Sequence, residues 1–134
     1  MARILVIDDE AGIRDLLDTA LRRKGHEVVL AERGGTGVNL FKHARPQVTI
    51  VDLNLPDVGG LAVLQEIRTL DPTAPVIILT GFGTDEGVQQ ARELGVTEFL
   101  QKGFAKGFSL QSLDAAVTRV LTQSGQTPQP GERP

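Results

Sequence analysis

Residues 48–56 read VTIVDLNLP. Four residues without a charge stop abruptly at Asp52, and a turn-forming run containing Asn54 and Pro56 follows. A strand that is apolar along its length, rather than alternating, is expected where both faces of a sheet are covered. The same pattern occurs twice more. Arg3-Ile4-Leu5-Val6-Ile7 runs into Asp8-Asp9-Glu10, and Val76-Ile77-Ile78-Leu79 runs into Thr80-Gly81-Phe82-Gly83. Three buried strands that each end in polar residues decide the fold class.

Helical periodicity fills the intervals. Ile13, Leu16, Leu17, Ala20 and Leu21 recur at the one-face spacing of an amphipathic helix, with Gly25 as its stop. His26 to Ala31 reads as a second strand and Gly37 to Ala44 as a short helix. Leu61, Val63, Leu64 and Ile67 mark a third helix, and Pro72 and Pro75 bracket the turn after it. A weakly amphipathic helix is expected over Asp85 to Leu94, with only Val88, Ala91 and Leu94 to bury. A strand over Thr97 to Gln101 and a helix over Leu110 to Leu121 complete five βα units.

Five such units predict an α/β domain, a parallel sheet sandwiched between two layers of helices. The second strand contains His26 and Glu27, and the fifth Thr97 and Glu98, so both are expected at the edges. That favours the doubly wound, flavodoxin-like strand order 2-1-3-4-5. The domain is expected to occupy residues 1–122. Residues 123–134 (QSGQTPQPGERP) have no apolar periodicity and are expected to form a disordered tail or a truncated linker.

Composition limits the function. The chain has 134 residues, 40% hydrophobic and 23% charged, which suits one globular domain with a core of its own. It lacks cysteine, so disulfides and thiolate metal sites are excluded. The apolar run at the N-terminus is too short for a signal peptide, and no stretch has the length of a membrane span. A cytoplasmic location is the expectation. The net charge is −3, from 14 basic and 17 acidic residues, and Trp and Tyr are absent. Direct nucleic-acid binding is therefore not expected.

In such a sheet ligands bind beyond the carboxyl ends of the strands. Asp8, Asp9 and Glu10 lie there after the first strand, Asp52 after the third, Thr80 after the fourth and Lys102 after the fifth. Each has an ordinary structural reading. The acidic run suits a helix N-terminus, Asp52 a turn, Thr80 a loop, and Lys102 the protection of an edge strand. Their coincidence at one edge is what points to chemistry. Close carboxylates repel unless a cation intervenes, and Mg²⁺ takes carboxylate oxygens together with phosphate and water. His26 and His43 lie away from this edge, so a transition metal is not expected. A metal, an ammonium and a hydroxyl around a further carboxylate suit phosphoryl transfer onto that carboxylate.

The runs ILVIDDE, VTIVDLNLPDVGGLAVLQEIR, PVIILTGFGT and LGVTEFLQK, in this order and at these spacings, resemble the receiver domain of two-component response regulators. The resemblance spans roughly Ala2 to Leu121. It implies a phosphorelay protein that accepts a phosphoryl group from a histidine kinase or histidine phosphotransfer protein. It implies no enzyme activity apart from self-catalysed phosphotransfer and autodephosphorylation. Position by position, Asp52 matches the phosphoacceptor, and Asp8, Asp9 and Asp52, with the backbone carbonyl of Asn54, match the Mg²⁺ ligands. Thr80 and Lys102 match the groups that contact the phosphoryl oxygens, and Phe99 matches an aromatic that repacks as Thr80 moves. Pro56 and Gly60 match the turn after the acceptor. Switching is then expected on the face formed by the fourth helix, fifth strand and fifth helix, through which receivers also often pair as homodimers. Phe82, two residues beyond Thr80, is a further candidate that would shield the acyl phosphate from water. The downstream target, an output domain or a separate protein, is not encoded in any motif.

The chain departs from the family pattern after the fifth strand. Gly103 stands where a proline, joined by a cis bond to the lysine, is usual, and a cis bond before glycine would cost roughly 2.5–4 kcal/mol. The segment QKGFAKGFSL also carries KGF twice, at 102–104 and 106–108. Counted from the strand, Lys102 is the active lysine; counted back from the helix, it is Lys106. Strand register favours Lys102, leaving Lys106 as the lesser candidate and a four-residue insertion between strand and helix. A tolerated surface loop is the simpler reading of that insertion, and the sharper one is that Phe104 or Phe108 extends the output face toward a partner. Two rival functions remain open. One is a degenerate receiver that binds partners without phosphorylation. The other is a small Mg²⁺-dependent phosphatase, disfavoured because no Gly-rich phosphate loop follows the first strand.

Overall fold

The computed structural model describes residues 2–55, 57–81, 85–96, 98–101 and 110–123, with the side chains of 80, 85, 86, 101, 110 and 123 outside that description. Strands β1 (Arg3–Ile7), β2 (Glu27–Ala31), β3 (Val48–Asp52), β4 (Val76–Thr80) and β5 (Glu98–Gln101) alternate with helices α1 (Ala11–Arg23), α2 (Gly34–Ala44), α3 (Gly60–Leu70), α4 (Asp85–Glu93) and α5 (Leu110–Gln123). All strand pairs are parallel, in the order β2-β1-β3-β4-β5. The predicted flavodoxin-like topology is the observed one, with the polar second and fifth strands at the edges.

Successive strand residues face opposite sides of the sheet, so each continuous apolar run feeds two cores. Ile4, Val6, Ile50, Ile77 and Leu79 pack with Leu17 and Leu21 of α1 and Leu113, Ala116 and Val117 of α5. Leu5, Ile7, Val51 and Ile78 pack with Phe41 of α2, Leu64 and Ile67 of α3, and Ala91 of α4. The interior strands are apolar throughout because neither face meets water. Away from the strand ends, Thr49 on β3 is the exception, buried with its hydroxyl unpartnered among the described residues.

Helix α2 begins three residues earlier than its apolar periodicity suggests. Gly34, Gly35 and Gly37 read as a helix-breaking run, yet Gly34 and Gly35 lie inside the first turn. Its N-cap, Arg33, supplies no side-chain hydrogen bond. The cap comes instead from the loop after β3, where the Asp57 carboxylate accepts the N–H groups of Gly34 and Gly35, each at 3.0 Å. A carboxylate at a helix N-terminus satisfies orphan donors and complements the helix dipole. The glycines are also a packing requirement. A Cβ at Gly34 would fall 2.5 Å from Val58 Cγ2, and one at Gly37 2.5 Å from Ile7 Cδ1.

The two N–H donors hold the Asp57 carboxyl at a pKa of about 2, below its ordinary value. A group whose folded pKa is depressed contributes stability above its unfolded pKa of 3.8 and loses it as pH falls through 2. Asp57→Asn should therefore be less stable than wild type at pH 5, and the gap should close between pH 4 and pH 2. Urea denaturation of both proteins across that range measures it; a gap constant with pH would contradict the carboxylate cap.

Candidate functional site

The site lies at the carboxyl ends of β1 and β3. Asp8 follows Ile7 directly and is held by hydrogen bonds from both its main chain and its side chain. Its N–H donates to Ala31 O at 3.0 Å, its carbonyl accepts from Arg14 Nη1 at 2.8 Å, and its Oδ1 accepts from Glu10 N at 2.8 Å. The last contact turns the chain two residues beyond Asp8, a conformation that aspartate favours. Asp8 is fully buried.

Asp52 closes β3 and is only 1% exposed. Its Oδ1 accepts the N–H of Asn54 at 2.9 Å, the same two-residue turn as at Asp8. Behind it, Leu53 N donates to Leu79 O and Gly60 N to Leu53 O, at 3.0 and 2.9 Å, which fixes the acceptor loop between β4 and the start of α3. Gly60 is required for that approach, since a Cβ there would meet the Asp52 carbonyl oxygen at 2.2 Å.

Carboxylate oxygens of Asp8, Glu10 and Asp52 all lie within 4.8 Å of one another. Three hard oxygen donors, two of them buried, suit Mg²⁺ or another hard divalent cation and do not suit a thiophilic metal. The group could hold a metal ion. Asp9, expected from the sequence among the ligands, is exposed and outside this group, and Glu10 stands in it instead. Asn54 is exposed and lies two residues beyond Asp52.

Phe99 lies on β5 opposite Ile78 and packs half-buried against the core under α3 and α4. Thr80 closes β4, next to Gln101 of β5, and its side chain lies outside the described residues. Pro56, Phe82, Lys102, Gly103, Phe104, Lys106 and Phe108 also fall outside them, as do residues 124–134. Among the described residues no helix is long and apolar enough to cross a membrane.

Comparison with known proteins gives a consistent result. The chain is 36% identical over 124 residues to a probable transcriptional regulator, ycf27, of Guillardia theta, covering 92% of this chain and 47% of that protein. It is 29% identical to sporulation initiation phosphotransferase F of Bacillus subtilis, covering 89% of this chain and 93% of that one. It thus spans about half the length of the first relative and nearly all of the second. A response regulator receiver domain protein from Clostridium thermocellum superposes with a TM-score of 0.85 at 31% identity, covering 93% of this chain and 98% of that one. The family model for the response regulator receiver domain matches residues 4–114. With the parallel sheet in this strand order and the acidic group at its carboxyl edge, the chain belongs to the response regulator receiver domain family of two-component signalling.

Proposed function

We propose that this receiver takes a phosphoryl group onto Asp52 from a phosphorylated histidine of a kinase or phosphotransfer protein, in a Mg²⁺-dependent reaction. The observation that supports it is the convergence of Asp8, Glu10 and Asp52 within 4.8 Å at the carboxyl edge of the sheet. A divalent cation held there supplies charge neutralisation between the acceptor carboxylate and the phosphoryl oxygens. Asp8 and Asp52 are the primary ligands in this reading, joined by the Asn54 carbonyl and Asp9 as the family pattern assigns them, with Glu10, which stands in the acidic group, as the alternative to Asp9.

The chemistry is a displacement at phosphorus. An Asp52 carboxylate oxygen forms the new P–O bond, the P–N bond of the phosphohistidine breaks, and the departing imidazole takes a proton. The Asn54 N–H, 2.9 Å from Oδ1, fixes the rotation of the acceptor carboxylate. Lys102 is assigned as the cation contacting the phosphoryl oxygens, with Lys106 the lesser candidate, and the Thr80 hydroxyl as the group that turns toward them. Phe82 is assigned as a shield that slows hydrolysis of the acyl phosphate. The product carries a dianionic group that repacks Thr80 and Phe99 and so alters the α4–β5–α5 face for a downstream partner, an output domain, or a second copy of the chain. The site serves signalling from the cytoplasm, and Asp52 returns to the free carboxylate by autodephosphorylation.

The test is direct. Incubated with Mg²⁺ and acetyl phosphate, the wild type should gain one phosphoryl adduct by intact mass, and Asp52→Asn should gain none. A wild type without adduct would leave a receiver that acts by partner binding alone, and turnover of external phosphate esters would point to a phosphatase.

A further inference from the structure

The C-terminal end of α4 is fastened from two sides, and both fastenings are arginines. The helix closes in a left-handed turn at Gly95 (φ +90°), with Gly95 N donating to Arg92 O at 2.9 Å and Val96 N to Ala91 O at 3.3 Å. This pair of bonds is the Schellman arrangement, which satisfies carbonyls left open at a helix end. From beneath, Arg68 of α3 donates Nε to Leu94 O at 2.5 Å and Nη1 to Ala74 O at 2.7 Å. From above, Arg92 lays its guanidinium over the Phe99 ring, 4.6 Å from the centroid. That is inside the roughly 6 Å range over which a cation is drawn to an aromatic face.

Few of the described side chains of α4 reach the core. Among its described side chains only Ala91 is fully buried, with Val88 half-buried. A helix anchored at one end and loosely packed along its length moves as a lever about the anchored end.

We propose that Arg92 is a positioning residue for the Phe99 ring, and that Arg92 and Arg68 together hinge α4 at Leu94–Gly95, so that repacking of the ring swings the helix. The proposal rests on the reading of Phe99 as the aromatic that repacks. Arg92 couples the ring to the helix because it belongs to the last turn of α4 while its charge rests on a β5 side chain. Arg68 keeps the carbonyl of Leu94, just past the last turn of α4, in place, so displacement is directed into the rest of the helix. At an exposed cation–π contact the coupling should change the ratio of the two packings about two- to fivefold.

The test uses the full chain without phosphodonor, which separates it from the question of whether Asp52 is phosphorylated. Phe99 ring signals are followed by NMR, assigned with Phe99→Leu, in wild type, Arg92→Met and Arg92→Lys. Amide exchange across α4 is measured in the same samples. Arg92→Met should shift the ring signals and speed α4 exchange by about two- to fivefold, and Arg92→Lys should restore most of both. Three results would each overturn the proposal. These are unchanged ring signals in Arg92→Met, a ring shift with α4 exchange unaltered, and an Arg92→Lys protein that behaves like Arg92→Met. The acetyl phosphate experiment reports separately on the phosphorylation reading.

Discussion

Asp8→Asn is expected to remove the response to Mg²⁺ while leaving the metal-free fold intact. Asp8 is fully buried and contributes to the three-carboxylate group. Asparagine keeps the side-chain oxygen that accepts from Glu10 N at 2.8 Å, so the turn after β1 has no reason to open. What is lost is one negative charge among three acidic side chains. A ligand that binds only the folded state stabilises it by RT ln(1 + [L]/Kd), about 1.4 kcal/mol at tenfold the dissociation constant. Wild type should gain that increment on Mg²⁺ addition, read from urea denaturation with and without EDTA. In Asp8→Asn the affinity should fall by more than the roughly 10–100-fold that outer-shell changes bring, leaving no increment at the same Mg²⁺ concentration. Without metal, the variant should be at least as stable as wild type, because a buried acidic group has lost one of its like charges. An equal Mg²⁺ increment in both proteins would show that the ion, if bound, sits elsewhere. Glu10→Gln distinguishes the present grouping from the family pattern. If Glu10 holds the ion its affinity falls, and if Asp9 does so the larger loss follows Asp9→Asn.

The parts of this domain that were legible in sequence depend on one-dimensional pattern. Ile4–Ile7, Val48–Val51 and Val76–Leu79 announce buried strands because a parallel sheet covered on both faces has no solvent side to alternate toward. The charged second and fifth strands announce edges for the converse reason. Asp8 and Asp52 could be read because each ends an apolar run, and strand ends share one edge of the sheet. The α2 start could not be read in this way. Its glycines argue against a helix locally, and the residue that overrides them, Asp57, is over twenty positions away in the sequence. The acidic run 8–10 was visible as a whole, but periodicity does not register which of its side chains lie close to Asp52, and it is Asp8 and Glu10 that do. Arg92 over Phe99 and Arg68 under Leu94 likewise depend on how α3, α4 and β5 meet. Charged residues on helices read as solvated faces until their partners are placed.

Gly60→Ala is expected to be more damaging than the same change at Gly34 or Gly37, and the damage should fall on the acceptor. Among the described glycines, Gly34, Gly37 and Gly60 lie in tight quarters, but they differ in what their Cβ would strike. At Gly34 and Gly37 the nearest atoms are side-chain carbons of Val58, Val63 and Ile7, at 2.5 to 3.0 Å, so a side chain rather than the main chain has to move, most easily at the exposed Val58 beside Gly34. At Gly60 they are backbone: Asp52 O at 2.2 Å, Leu53 Cα at 2.5 Å and the Asp52 carbonyl carbon at 2.9 Å. The backbone cannot yield without breaking the Gly60 N to Leu53 O bond or moving the end of β3, where Asp52 sits. Overpacking of a rigid site costs typically 1–3 kcal/mol and occasionally more, so Gly60→Ala should lie at about 3 kcal/mol or above, with Gly34→Ala well below it. The loss should also be local. Even at low temperature, where the variant remains folded, its rate of phosphoryl uptake from acetyl phosphate should fall at least about tenfold, since a displacement of order 1 Å in a reacting group can cost as much as roughly 10²-fold. Urea denaturation gives the first quantity and intact mass against time the second. If Gly60→Ala and Gly34→Ala proved equally stable and equally fast, the contact between the start of α3 and the Asp52 carbonyl would not be what positions the acceptor.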